Sequence, residues 1–163
     1  MRLLICRHAT AVDATPSLGD DGRWLTAGGR AEARALGERF KAWGESPGAI
    51  LTSPLVRAVQ TADAVAAGLE SGLEVAAVAS LGPDGGLSEL LDDVVATGAA
   101  TVLVVGHEPQ VSGWAAQLLG LKRLPLGFER CMVVAIDFAA EPAPGAGTLD
   151  WVTHPRRPHR FRF

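Results

Sequence analysis

Short, unbroken apolar runs alternate along this chain with stretches in which apolar residues return every three or four positions. Leu3–Cys6, Ala49–Thr52 and Thr101–Val105 are runs of strand length, the last rich in β-branched residues. Continuous apolar character over so few residues is what a strand buried on both faces requires. Glu74–Val78 is a candidate further strand, and Cys131–Phe138 and Thr148–Val152 close the series across a Pro/Gly-rich loop at 139–147. Between the strands, helical periodicity predicts four helices. The first starts at Thr26 as N-cap and carries Ala33, Leu36, Phe40 and Trp43 on one face, with Gly28-Gly29 weakening its first turn. The second starts at Ser53 as N-cap with Pro54 at the first helical position, and its stripe is Leu55, Val59, Ala62 and Ala66. The third carries Leu87, Leu90, Leu91, Val94 and Val95 and stops at Gly98. The fourth carries Val111, Trp114, Ala115, Leu118 and Leu119. Trp24 is read as a hydrophobic staple ahead of the first helix.

Strand and helix in repeated alternation predict a three-layer α/β/α sandwich around a mostly parallel sheet of about five or six strands, with the last strand antiparallel at an edge. No internal repeat is visible, and one domain over residues 1–163 accounts for the chain. Hydrophobic residues make up 48% and charged residues 20%, which fits a folded globule. A formal charge of −3 gives no global attraction to nucleic acid or to an acidic membrane. The segment 154–163 is a basic C-terminal tail with four arginines and no acid; it is read as a solvated terminus, with an anion-binding edge as the alternative. Cys6 and Cys131 sit apart in apolar runs and read as buried thiols. The apolar start of the chain is too short for a signal-peptide core or a membrane span, so the expected location is cytoplasmic.

Candidate chemistry follows three of the strands. After the first comes Arg7-His8; after the second, Ser53-Pro54-Leu55-Val56-Arg57; after the strand ending at Val105, Gly106-His107-Glu108-Pro109. In a parallel sheet these ends share one edge, where functional loops gather. Two arginines and two histidines together suit phosphoryl transfer. Guanidinium groups fit the oxygens of the transferring group, a neutral imidazole can attack phosphorus, and a second imidazole can balance charge. Each residue also has a plainer reading: His8 satisfied by backbone at a strand end, Arg57 on a helix surface, Glu108 favoured by a helix start, Asp84 serving turn chemistry. His154 and His159 carry no geometry, and a metal held by Cys6, His8 and His107 lacks a fourth ligand. Neither a GxGxxG nor a Walker loop is present.

R-H-A-T-A at 7–11, L-T-A-G-G-R-A-E-A at 25–33, S-P-L-V-R-A-V-Q-T at 53–61 and V-V-G-H-E-P at 104–109 occur in that order. Together they resemble the signature segments of the histidine phosphatase superfamily, whose fold is phosphoglycerate mutase-like. The short length is most similar to the SixA-like branch, bacterial phosphohistidine phosphatases. The resemblance implies His8 as the phosphorylated nucleophile and Arg7, Arg57 and His107 as the phosphate pocket, without metal or other cofactor. It leaves the proton donor open among Glu108, Asp84 or neither. Ala9 departs from the glycine common after that histidine, which is tolerable only if the backbone there avoids positive φ. The expected activity is hydrolysis of a protein phosphohistidine through a phosphohistidine intermediate. The alternatives are a phosphatase or mutase acting on a small phosphoester, and a non-catalytic phosphate- or phosphoprotein-binding module. No nucleic-acid or membrane partner is expected, and the oligomeric state is open.

Overall fold

A computed structural model describes residues 1–154 and 157–162. In chain order the elements are β1 (Arg2–Arg7), α1 (Ala27–Trp43), β2 (Ala49–Thr52), α2 (Val56–Leu69), β3 (Val75–Ala77), α3 (Leu87–Ala96), β4 (Thr101–Gly106), α4 (Gln110–Leu118), β5 (Val133–Phe138), β6 (Gly147–His154) and β7 (Arg157–Arg162). One sheet runs in the order β3-β2-β4-β1-β5-β6-β7. Its first four strands are mutually parallel and the last three antiparallel. The α/β/α sandwich is therefore as expected, but the sheet has seven strands rather than five or six.

Alternation along β1 explains the layers. Leu4 and Cys6 pack with Leu103 and Val105 against the layer of α1 and α2, while Leu3 and Ile5 pack with Val102 and Val104 against α3 and α4. Both faces of the central strands are covered, which is why their sequences are apolar without a break.

Thr26 caps α1 as expected, its Oγ1 accepting from the Gly29 amide at 2.9 Å. The glycines that weaken this helix in isolation have a tertiary reason. A Cβ on Gly29 would collide with the Thr10 carbonyl, one on Gly37 with the Val65 carbonyl, and one on Gly68 with the Arg34 carbonyl. Gly37 and Gly68 thus bring α1 and α2 together backbone to backbone.

Three local expectations are corrected. Ser53-Pro54 does not open α2: the helix starts at Val56, Leu55 precedes it without a side-chain cap, and Ser53 Oγ accepts from the Leu55 amide, ahead of the helix, at 3.3 Å. The tail is not a loose terminus, because 157–162 pairs with β6 as an edge strand. Arg160 there stacks over Trp43 and Trp151, at 5.0 and 5.7 Å from the ring centroids. Residues 155, 156 and 163 of the tail lie outside the described residues. Trp24 is 46% exposed, and the neighbouring Leu25 takes the buried place instead. Among the described residues, no helix is long and apolar enough to cross a membrane.

The close approach of α1 and α2 predicts opposite outcomes for two similar changes. Gly37→Ala should lower the unfolding free energy by about 1–3 kcal/mol in urea titrations, through overpacking. Gly28→Ala, where the nearest atom to an added Cβ is Thr26 Oγ1 at 3.9 Å, should be neutral or slightly stabilising.

Candidate active site

The ends of β1 and β4 are locked side by side. Arg7 pairs with Gly106, and the next amide, that of His8, donates to the Gly106 carbonyl at 3.0 Å. His8 and His107, one residue beyond each strand, therefore meet with ring centroids 5.1 Å apart. Cys131 supports this junction from the entry to β5. Its amide reaches the Arg7 and His8 carbonyls at 3.0 and 3.3 Å, from a left-handed backbone (φ 59°) that few residues with side chains adopt.

His8 is 7% exposed, and its Nδ1 lies 2.7 Å from the Ala9 carbonyl. A carbonyl only accepts, so Nδ1 carries the proton and Nε2 holds the lone pair. Burial, with smaller contributions from His107, Arg57 and Arg7, outweighs the Ala9 bond and pushes the His8 pKa down to about 3. Ala9 is not at positive φ, so its Cβ is accommodated without strain. The Ala9 amide donates to Thr61 Oγ1 at 3.0 Å, and that hydroxyl donates to the Arg57 carbonyl at 2.6 Å. Thr61 thus couples the turn after β1 to the first turn of α2.

His107 shares a 2.7 Å hydrogen bond between its Nε2 and Ser53 Oγ, while its Nδ1 is buried without a partner. Burial first, then the Arg57 charge, brings its pKa down to about 4 against an opposing pull from Asp20. Arg57 donates through Nη1 to the Asp20 carbonyl (2.7 Å) and through Nη2 to Asp20 Oδ2 (2.8 Å). Arg7 donates through Nη1 to the Phe128 carbonyl at 2.7 Å. Burial lowers the Arg7 pKa from its ordinary value, Arg130 adding to the effect and Glu108 opposing it.

Among the described residues, four buried side-chain nitrogens or oxygens lack a hydrogen-bond partner: Arg7 Nε, Arg57 Nε, His107 Nδ1 and Trp151 Nε1. Three of the four belong to this cluster. A buried orphan costs about 1–3 kcal/mol, so three in one place make this cluster a candidate site for an acceptor-rich anion. Arg57 and His107 line a cavity of about 310 Å³ together with Asp20 and Glu108.

Comparison with known proteins gives the family and the fold. Residues 3–81 match the model of the histidine phosphatase superfamily (branch 1). The chain is 30% identical over 158 residues to the phosphohistidine phosphatase SixA of Escherichia coli (strain K12), spanning 95% of this chain and 94% of that one. The chain belongs to the histidine phosphatase superfamily. It is a phosphatase, with the phosphoglycerate mutase-like fold of the solved SixA structures. The structure of the protein histidine phosphatase SixA complexed with tungstate superposes with a TM-score of 0.82 at 27% identity, covering 95% of this chain and 97% of that one. A phosphoserine phosphatase mutant from Entamoeba histolytica, with phosphoserine bound, shares the fold at a TM-score of 0.69 and 16% identity, over 95% and 98% of the two chains.

Of the residues singled out from the phosphatase sequence, Arg7, His8, Arg57 and His107 converge. Glu108 stands in the cavity wall, its Oε2 accepting from the Ser112 amide at 3.3 Å in the first turn of α4. Asp84 does not join them: it is exposed and lines a separate cavity with Ser80, Glu89 and Asp93. Cys6 is a free, fully buried thiol in the core under α1 and α2. Among the described residues, no three His, Cys, Asp or Glu side chains are grouped to hold a metal. Sequence reasoning missed Asp20, Thr61 and the true use of Ser53. Ser53 and Thr61 lay inside a quoted motif, whereas Asp20 carried no signal in a polar loop.

The depressed histidine pKa values give a pH prediction. In the anion-free phosphatase both rings are neutral at pH 7. A bound oxyanion favours the protonated form of His107, so binding takes up a proton at any pH between about 4 and the raised value in the complex. Tungstate affinity should therefore rise as pH falls from about 8 to about 6. Calorimetry in buffers of different ionisation enthalpy should show net proton uptake, and His107→Gln should abolish it.

Proposed function

We propose that this phosphatase hydrolyses protein phosphohistidine through a phosphoenzyme formed on Nε2 of His8. The observation that carries the reading is the tautomer. With Nδ1–H held by Ala9, the His8 lone pair sits on Nε2, beside three donors that lack partners. In this reading Arg7 Nε, Arg57 Nε and His107 Nδ1–H bind the phosphoryl oxygens, whose charge spreads during transfer. A neutral His8 is a competent nucleophile at physiological pH because burial keeps it unprotonated. In this reading the Ser53 hydroxyl donates to His107 Nε2, which leaves the proton of that ring on Nδ1. Water then attacks the phosphoenzyme and releases phosphate.

The likeness to SixA of Escherichia coli supports phosphohistidine as the substrate. Leaving-group chemistry supports it too, since imidazole departs with less help than an alkoxide. Where a poorer leaving group needs a proton, this reading takes Glu108 as the donor rather than Asp84, which its position in the cavity wall supports, Asp84 lining a separate cavity. A mutase would have to hold a second phosphorylated group, for which the described cavity lining offers no cation beyond Arg57. One continuous sheet from residue 2 to 162 supports a single domain, and the free cysteines Cys6 and Cys131 support a reducing, cytoplasmic setting.

The test uses a phosphocarrier or histidine-phosphotransfer protein charged with phosphoramidate. His8→Ala should fold normally by circular dichroism yet lose at least about a thousandfold in kcat/KM. A His8→Ala variant that retained full turnover would refute the reading. So would a wild-type phosphatase that cleaves sugar phosphates or phosphoglycerates while ignoring phosphohistidine.

A further inference from the structure

The cavity that leads to the unpartnered donors has an unusual charge arrangement for a site that takes phosphate. Among the described residues, Arg57 is the only cation lining it, and both Nη groups of Arg57 are already bonded to Asp20. Two carboxylates, Asp20 and Glu108, stand in the same wall. The rest of the described lining is uncharged, His107 being neutral at pH 7, and its side-chain amide donor, Gln110 Nε2, is engaged by the Gly82 and Pro83 carbonyls at 3.0 Å each. Lys122 and Arg123 lie in a different groove, on the far side of Glu108 and Pro109.

Asp20 is held ionised. Its carboxylate bridges Arg57 (2.8 Å) and Arg23 (2.9 Å), and these hydrogen bonds, that of Arg23 foremost, keep its pKa below the usual carboxylate range. Arg23 is not part of the cavity lining, and its own Nε is tied back to the Val12 carbonyl at 2.6 Å. Once a phosphoryl group occupies the donors, the Arg57 charge is matched by phosphate, and the carboxylates face whatever the phosphoryl group is attached to.

We propose that Asp20 is a specificity-determining residue: with Glu108 it forms an acidic mouth that rejects phosphoesters bearing a second anion and favours a cationic leaving group. The inference rests on the phosphohistidine reading above and extends it. In a phosphohistidine protonated at its second ring nitrogen, the ring to be released carries that positive charge before transfer, while its phosphoryl group is the anion that the donors hold. As the His8 Nε2 lone pair forms the new N–P bond, the old N–P bond breaks. Its electron pair returns to the substrate ring, which leaves as neutral imidazole with its one N–H. The positive charge passes to the phosphorylated His8 ring, and no external acid is consumed. Carboxylates at the mouth stabilise the protonated substrate before transfer, whereas a phosphoglycerate meets repulsion there, Arg23 being engaged by Asp20 outside the cavity lining.

The test compares three substrates on the full-length protein: N-phosphohistidine, glycerol 3-phosphate and 3-phosphoglycerate. Dividing each kcat/KM by that for glycerol 3-phosphate removes any general loss from disturbing Arg57. Asp20→Asn keeps an acceptor for Arg57 and removes the charge. It should raise the relative rate with 3-phosphoglycerate about tenfold and lower that with phosphohistidine several-fold, the size expected for one charge in a partly solvated site. Asp20→Glu, which keeps the charge, should hold both ratios near wild type. Ratios unchanged within about twofold in Asp20→Asn, or moved in the opposite direction, overturn the inference. A wild type active on glycerol 3-phosphate but inert toward phosphohistidine fails the underlying function instead, and the two failures are told apart by the wild-type measurement alone.

Discussion

The hydrogen bond from the His8 amide to the Gly106 carbonyl, 3.0 Å long, is the constraint on which the site depends. It extends the β1–β4 pairing one residue beyond the strands and fixes their register where the chain leaves the sheet. A slip of one residue would turn one histidine to the opposite face. In register, the two imidazoles stand 5.1 Å apart, and the Cys131 amide closes the same junction from β5. α2 is brought in through Thr61, whose hydroxyl joins the Ala9 amide to the Arg57 carbonyl. Three strands thus meet through backbone hydrogen bonds, and the helix joins them through one buried threonine hydroxyl.

This rigidity has an energetic cost that the fold carries elsewhere. Two neutral histidines and two guanidinium groups are withdrawn from water with three donors unpaired. Each orphan works against stability, and the two apolar layers, with the close backbone seam of Gly37 and Gly68, offset it. The arrangement is preorganised for a negative group: the donors are in place before the anion arrives, so little reorganisation is needed when charge develops. Asp20 reconciles this with a folded, anion-free state, because it shares the Arg57 charge without touching the orphaned Nε.

Much of this was legible in the amino-acid pattern, and for a physical reason. Strands buried on both faces write themselves as short apolar runs, so the residues that follow them, Arg7-His8 and His107-Glu108, could be placed on one edge before any coordinates. The edge strands were harder to read. β7 is Arg157–Arg162, a basic segment without the apolar run of a buried strand; its strand character comes from pairing with the adjacent β6 and from Arg160 stacking on Trp151 and on Trp43, the latter far earlier in the chain. Ser53-Pro54 carried the local signature of a helix start, but the hydroxyl is hydrogen-bonded to His107, 54 residues away, and the helix begins later. Asp20 gave no local sign because its partner Arg57 lies 37 residues on, and only the folded loop brings the two together.

The central claim is that the Ala9 carbonyl selects which nitrogen of His8 receives the phosphoryl group. The most direct measurement is ¹⁵N–³¹P coupling by NMR on ¹⁵N-histidine-labelled protein, phosphorylated with phosphoramidate and observed at alkaline pH where phosphohistidine persists. The account predicts one phosphorylated histidine, His8, with phosphorus coupled to Nε2 and with Nδ1 still protonated. Phosphorus coupled to Nδ1 of His8, or carried by His107, would contradict it.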